Sequence, residues 1–274
     1  MYQLIAIDMD GTLLRPDQTI HPDSIRDIQR AADRGFYIAL CTGRGIPELR
    51  QYLDQLPMIR HAVCCNGAVL YDIADDNVIA SHSISGRWID SLLKIAVKYQ
   101  AMAQLMTERE SVVSSNDMTN MWDFHMERYE SMYRSVARQT ENLAAEAHRL
   151  ENIVKAVIYF RSLDDCLCAQ EKLRHCPLTA VRQEETSLEI TALHTNKASG
   201  LIHLANHLHI PLDQTVCIGD SRNDLDMLRV AGLSVAMGNA QDYIKNQCNI
   251  ITENNQRNGV GKAIRRVMEM NKSL

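Results

Sequence analysis

Short apolar runs at residues 4–8, 36–42, 62–66, 216–220, 233–238 and 250–252, with helical patterns between them, constrain this chain more than any other feature. Strand-length runs alternating with amphipathic stretches predict a parallel sheet covered by helices, because parallel neighbours need long crossover connections. The punctuation between the runs agrees. Pro22 suits the first turn of a helix reaching about residue 34, and Gly35 suits its stop. After Gly45, the residues Leu49, Tyr52, Leu53 and Leu56 recur at helical spacing. Residues 223–230 open a further helix with Leu225 and Leu228 on its apolar face. The expected fold class is α/β.

Residues 83–193 follow a different pattern. A helical segment at 87–99 precedes alternating segments near 103–106 and 111–114, and a strongly charged helical stretch is expected from about 121 to 150. A second set follows, with a strand at 153–160, a helix at 164–175, and strands near 178–182 and 187–191. The two helix-strand-strand sets form a rough internal duplication. The expected organisation is therefore a core of residues 1–82 and 194–274, interrupted by a second domain at 83–193, with hinges near Ser83 and Leu193. Within the insertion, Met106, Met118, Met121, Met126 and Met132 are expected to fill core gaps.

The ends of the core runs carry the chemistry. They read Asp8-Met9-Asp10-Gly11-Thr12, Thr42-Gly43-Arg44, Asn66-Gly67 and Asp220-Ser221-Arg222-Asn223-Asp224. Ligands of open α/β sheets bind outside the carboxyl ends of the strands, so Asp8 and Asp10 stand where a nucleophile and its acid/base partner can face a substrate. Each of these segments alone is ordinary turn sequence. Four strands delivering polar groups to one edge is more than turns require. An EF-hand reading of Asp8-x-Asp10 fails, because Leu13 stands where the loop needs glycine and Thr19 where it needs a bidentate glutamate. The carboxylates of Asp8, Asp10, Asp220 and Asp224 would repel one another unless a cation joined them. Hard oxygen donors with few histidines nearby select Mg2+.

Composition narrows the function class. With 274 residues the chain is long enough for a full core, and its 46% hydrophobic and 23% charged content is that of a globular protein. No apolar run approaches the span of a bilayer, so no membrane partner is expected. A net charge of -5, a pI near 6.1 and no basic stripe argue against nucleic acid as a main ligand. Met1 leads within a few residues into the first run, without a basic segment or long apolar region, so a cytoplasmic product is expected. Several of the eight cysteines lie inside apolar runs and read as small buried residues. Cys166, Cys168, His175 and Cys176 have the look of a zinc set, but positions two apart on a helix point to different faces, which disfavours metal there. His82, His194 and the remaining histidines show no ligand spacing.

Asp8-Met9-Asp10-Gly11-Thr12, Thr42-Gly43-Arg44, Lys197 and Gly219-Asp220-Ser221-Arg222-Asn223-Asp224, in that order, resemble the four motifs of the haloacid dehalogenase-like phosphohydrolases. Asn66-Gly67-Ala68, the insertion after the third run, Met237-Gly238-Asn239-Ala240 and Asn258-Gly259-Val260 resemble the Cof-type subfamily. One departure is that Ala198 follows Lys197, where the subfamily more often has glycine. The resemblance implies a Rossmann-like doubly wound core with an inserted α+β cap that governs specificity. It implies that Asp8 attacks phosphorus to give an aspartyl-phosphate, while Asp10 protonates the leaving alkoxide and then deprotonates water. It also implies that Asp8, Asp220 and the backbone carbonyl of Asp10 hold Mg2+, with Asn223 and Asp224 in the outer shell. Thr42, Gly43 and Lys197 would meet the phosphoryl oxygens, and Arg44 and Asn66 would face the substrate. The implied function is a Mg2+-dependent phosphatase of a small phosphorylated metabolite, such as a sugar phosphate or phosphorylated cofactor precursor. A phosphotransferase or phosphomutase of the same superfamily is the alternative. A receiver-like signalling module is the third reading, disfavoured by Asp10, since a signalling domain needs a long-lived acyl-phosphate. Oligomeric state is left open.

Overall fold

A computed structural model describes residues 1–272. Among the described residues, fourteen strands run in chain order: β1 (Leu4–Ile7), β2 (Tyr37–Cys41), β3 (His61–Cys64), β4 (Val69–Asp72), β5 (Asn77–Ser81), β6 (Met102–Met106), β7 (Ser111–Ser114), β8 (Ala137–Thr140), β9 (Lys155–Tyr159), β10 (Leu178–Arg182), β11 (Ser187–Ala192), β12 (Thr215–Gly219), β13 (Leu233–Ala236) and β14 (Ile250–Ile251). The chain divides into two compact units, one of Met1–Gly43, Tyr52–Ala80 and the chain from Asn196 onward, the other of Arg44–Gln51 and Ser81–Thr195. Among the described residues, no helix is long and apolar enough to cross a membrane.

The first unit is built on a sheet in the order β14-β13-β12-β1-β2-β3-β4-β5. From β14 through β3 every pairing is parallel. Every residue of β1 and β12 is buried, as expected of strands sandwiched between helices. Alternation sends Leu4 and Ala6 toward the helices Lys197–His207 and Leu225–Val230. The helices Pro22–Ala32 and Gly259–Lys272 pack against each other. Pro22 occupies the first turn of its helix, and the His21 ring caps it by accepting from the Asp23 N–H at 3.1 Å. The strand order reverses at β1, which has β12 on one side and β2 on the other, so their carboxyl ends form the crevice typical of such sheets.

The third run ends earlier than expected. β3 stops at Cys64, and Cys65, Asn66 and Gly67 all take positive φ (52°, 54° and 92°). Three successive left-handed residues turn the chain back, so β4 pairs antiparallel with β3 and, with β5, widens the sheet beyond the expected runs.

The second unit holds a sheet in the order β10-β11-β9-β6-β7-β8, antiparallel except for β7 with β8. One face carries Ala103, Leu105, Ala156, Ile158, Leu188 and Ile190 against the helices Gly86–Lys98 and Leu163–Leu173. The alternate positions include Gln104, Lys155, Tyr159 and Glu189, so the other face is polar. The charged stretch at 121–150 is not one helix. It breaks into turns at Met121–Phe124 and Glu127–Tyr129, a helix at Glu130–Val136, strand β8 and a helix at Leu143–Ala147. His125 at φ 59° ends the first turn, and Asn142 caps the last helix by accepting from Ala145 N–H at 2.9 Å. Pairing with β7 then overrides the helical preference of residues 137–140. Met118, Met121 and Met126 are buried, while Cys166 is buried and Cys168 exposed on one helix.

Candidate active site

Asp8 follows β1 directly, and its N–H donates to the Ile218 carbonyl of β12 at 3.0 Å, so the sheet itself fixes its position. Its Oδ1 accepts from Lys197 Nζ at 2.5 Å, and the same ammonium donates to Asp224 Oδ1 at 2.6 Å. Lys197 is the first residue of its helix. Asn196 caps that helix reciprocally with Ser199, through Ser199 N–H to Asn196 Oδ1 at 2.9 Å and Asn196 N–H to Ser199 Oγ at 3.0 Å. This box explains how the helix starts cleanly with Ala198 after the lysine. The glycine falls instead at Gly200, where a Cβ would lie 2.7 Å from the Gly67 Cα. Gly67 in turn has φ 92°, and a Cβ there would sit 2.0 Å from the Asn196 carbonyl oxygen. The turn after β3 thus presses against the helix start that carries Lys197.

The loop after β12 is organised by Asp224. Its Oδ2 accepts from the N–H groups of Asp220 at 3.0 Å and Ser221 at 2.9 Å, leaving Oδ1 for Lys197. Asp220 accepts from Thr12 Oγ1 at 2.7 Å and from Asn239 Nδ2 at 3.3 Å, and Asn239 also donates to the Gly11 carbonyl at 2.8 Å. Gly11, at φ 81°, is needed because any Cβ would meet the Asp220 carboxylate at 2.3 Å. Carboxylate oxygens of Asp8, Asp220 and Asp224 all lie within 4.8 Å of one another.

Three carboxylates around one ammonium perturb one another strongly. Burial, reinforced by the charge of Asp224, pushes the Asp8 carboxyl well above the ordinary carboxylate range. Burial and the same neighbour raise Asp220 to about 7. Burial works against the Lys197 charge, but Asp224 and Asp8 outweigh it and hold the ammonium well above its usual pKa. Asp8 Oδ2 is buried with no hydrogen-bond partner. A buried carboxylate oxygen without a donor is costly to ionise, and together with the all-oxygen donor set it fits a hard divalent cation, which would offset that cost.

The remaining expected residues fall around this centre. Thr42 is fully buried, and its carbonyl accepts from Asn66 N–H at 3.0 Å. Asn66 Oδ1 accepts from Asn223 Nδ2 at 3.2 Å, joining the turn after β3 to the loop after β12. Asp10 is half-buried and lies outside the trio of carboxylates. Gly43 closes the first unit, and Arg44 opens the second, where its guanidinium reaches Met132 Sδ at 3.3 Å. Thr12 and Asn239 were visible in the motifs, but their hydrogen bonds to Asp220 depend on partners more than a strand away and leave no local trace.

The haloacid dehalogenase-like hydrolase family model matches residues 5–264. The chain belongs to this family. It is 30% identical over 273 residues to 5-amino-6-(5-phospho-D-ribitylamino)uracil phosphatase YitU of Bacillus subtilis, covering 96% of each chain. It is 25% identical over 268 residues to pyridoxal phosphate phosphatase YbhA of Escherichia coli, covering 96% of this chain and 97% of that one. A solved haloacid dehalogenase-like hydrolase of B. subtilis shares the fold, with a TM-score of 0.87 at 23% identity over 96% of this chain and 99% of the other. This haloacid dehalogenase-like hydrolase is therefore an enzyme of the phosphoric monoester hydrolase class.

Proposed function

We propose that the protein is a Mg2+-dependent phosphatase that hydrolyses a small phosphorylated metabolite through an aspartyl-phosphate on Asp8. The observation that carries this reading is the buried Asp8 carboxylate, with one oxygen on Lys197 and the other without a donor. Asp8 attacks phosphorus as the bond to the leaving oxygen breaks, and Asp10 gives that oxygen its proton. Asp10 then takes a proton from water as the water oxygen bonds to phosphorus and Asp8 is released with inorganic phosphate. Lys197, Thr42 and the Gly43 backbone offset charge on the phosphoryl oxygens. Asp8, Asp220 and the Asp10 carbonyl would hold Mg2+, which supplies charge neutralisation and phosphate orientation. Asp224 and Asn223 hold the loop that presents Asp220, supported by the N–H bonds to Asp224. We assign residues 83–193 as the cap and, with Arg44 and Asn66, as the region that meets the leaving group. Buried cysteines outside disulfides, such as Cys41, Cys166 and Cys217, suit a reducing compartment, and we place the protein in the cytoplasm.

The test is release of inorganic phosphate from a panel of phosphorylated metabolites with Mg2+, with a chelator, and in Asp8→Asn, all without an activating bisphosphate. Wild type with Mg2+ should turn over, the chelator should stop it, and Asp8→Asn should lose at least about a thousandfold in rate. Wild-type turnover in Asp8→Asn would sink the assignment, and a strict need for a bisphosphate would favour the mutase.

A further inference from the structure

We propose that Asn239 is a positioning residue for the cation site, setting through one side-chain amide the orientation of both the Asp220 carboxylate and the turn at Gly11. The inference rests on the Mg2+ reading above and deepens it. Asn239 belongs to Met237-Gly238-Asn239-Ala240, a segment to which that reading gives no task. Asn239, its partners and Asp220 all lie in the first unit.

The segment is built to deliver this side chain. Met237 follows β13 directly, and its N–H donates to the Gly219 carbonyl at 3.0 Å, which ties the loop to the end of β12 just before Asp220. Gly238 N–H donates to the Glu253 carbonyl at 3.1 Å. A Cβ at Gly238 would lie 2.7 Å from the Asn254 nitrogen, so a residue without one lets the two backbones meet. Ala240 N–H closes the turn on the Met237 carbonyl at 3.0 Å. Asn239 stands exposed within that turn.

The amide has one orientation that satisfies its neighbours. The Asn255 N–H, which can only donate, lies 3.2 Å from Oδ1, and the Gly11 carbonyl, which can only accept, lies 2.8 Å from Nδ2. The remaining amino hydrogen goes to Asp220 Oδ2 at 3.3 Å. Thr12 Oγ1 donates to the other oxygen, Asp220 Oδ1, at 2.7 Å. One donor on each oxygen defines the plane of the carboxylate, and Asn239 links that plane to the residue after Asp10. A ligand oriented in advance loses less freedom when a cation binds, and outer partners of this kind tune metal affinity.

Asn255 supplies the control. Its backbone N–H orients Asn239, whereas its buried side chain donates through Nδ2 to the Leu14 carbonyl at 2.7 Å. Removing that side chain withdraws a donor from a buried carbonyl and loosens the loop, while the backbone bond to Asn239 stays.

The test titrates Mn2+, a hard cation that suits carboxylates, into metal-free protein without substrate and counts the free ion by electron paramagnetic resonance. Wild type should bind. Asn239→Leu, which has the outline of the amide without its hydrogens, should bind about 10- to 100-fold more weakly, with the metal-free Tm within about 2 °C of wild type because the position is exposed. Asn239→Ala should shift affinity in the same direction. Asn255→Ala should lower the metal-free Tm by about 2–4 °C and keep the Mn2+ dissociation constant within about twofold. Unchanged affinity in both Asn239 variants overturns the assignment. An equal loss of affinity in Asn255→Ala also overturns it, because general loosening of the loops would then account for the effect. Failure of wild type to bind Mn2+ overturns the Mg2+ reading itself, and the assignment of Asn239 falls with it.

Discussion

The strand-end cluster of the first unit and the polar sheet face of the second bury polar groups in opposite ways. The first gathers three carboxylates around one ammonium and leaves Asp8 Oδ2 without a donor. The second surrounds its charges with partners: the Gln104 amide serves Glu48 and Ser111, its oxygen receives the Tyr133 hydroxyl, and Lys155 donates to Glu189 at 2.6 Å. An unbalanced charge in a low-dielectric site stores a demand for a further cation, whereas a network whose charges already have partners stores order. The contrast separates a place that awaits a partner from a scaffold that holds its shape alone.

The largest test of the contrast removes the ammonium. Lys197→Met leaves Asp8 and Asp224 facing each other without compensation, and metal-free protein should lose about 3–5 kcal/mol of stability in a denaturant titration. A loss below about 1 kcal/mol would mean that the carboxylates neutralise themselves by taking up protons, and the contrast would dissolve. Next comes Tyr133→Phe, which removes the nearer donor to Gln104 Oε1, leaving the Tyr159 hydroxyl at 3.5 Å, and breaks the 2.6 Å contact between the two phenols. Its cost should be about 1–3 kcal/mol, equal with and without Mg2+.

His61 gives the smallest and most discriminating test, because it changes from neutral to charged within reach of ordinary buffers. Its ring is 2% exposed with neither nitrogen hydrogen-bonded, Asp72 Oδ2 stands 3.6 Å from Nε2, and the rings of Tyr37 and His207 flank it. Burial lowers its pKa below the ordinary 6.5, opposed by Asp72 and assisted by His207 and Arg60. The folded protein then binds fewer protons than the unfolded chain, so this contribution to stability is present above the unfolded value and is lost as pH falls through it toward the folded one. His61→Phe keeps a ring between its neighbours and removes the proton site. Its Tm should fall less than that of wild type between pH 7 and pH 5, and an equal fall would show that His61 titrates as in the unfolded chain.

What the sequence made legible follows from how local each signal is. Asp8, Thr42 and Asp220 each stand directly after a strand, so an apolar run and its polar end were enough to bring them to one sheet edge. Lys197 was legible through motif order, but its cap, Asn196 with Ser199, departs from the usual Ser/Thr-x-x-Glu/Gln pattern and shows only in the structure. The Gln104–Tyr133–Tyr159 network was not, because each member is an ordinary residue until a distant strand or helix brings its partner. The same holds for β8, whose residues prefer a helix and become a strand only beside β7. Arg44–Gln51 groups with the second unit because Glu48 bonds to Gln104, a contact spanning 56 positions that periodicity does not encode.

The contact between Gly67 and the start of the Lys197 helix gives the site an unusual kind of fragility. At that crossing the two backbones are separated by little more than hydrogen atoms, so one methyl group has nowhere to go except into the Asn196 carbonyl. The reach of the Lys197 ammonium to Asp8 is therefore fixed by clearance on the far side of its own helix terminus. Chemistry at the nucleophile is held to tolerance by a residue that never touches it.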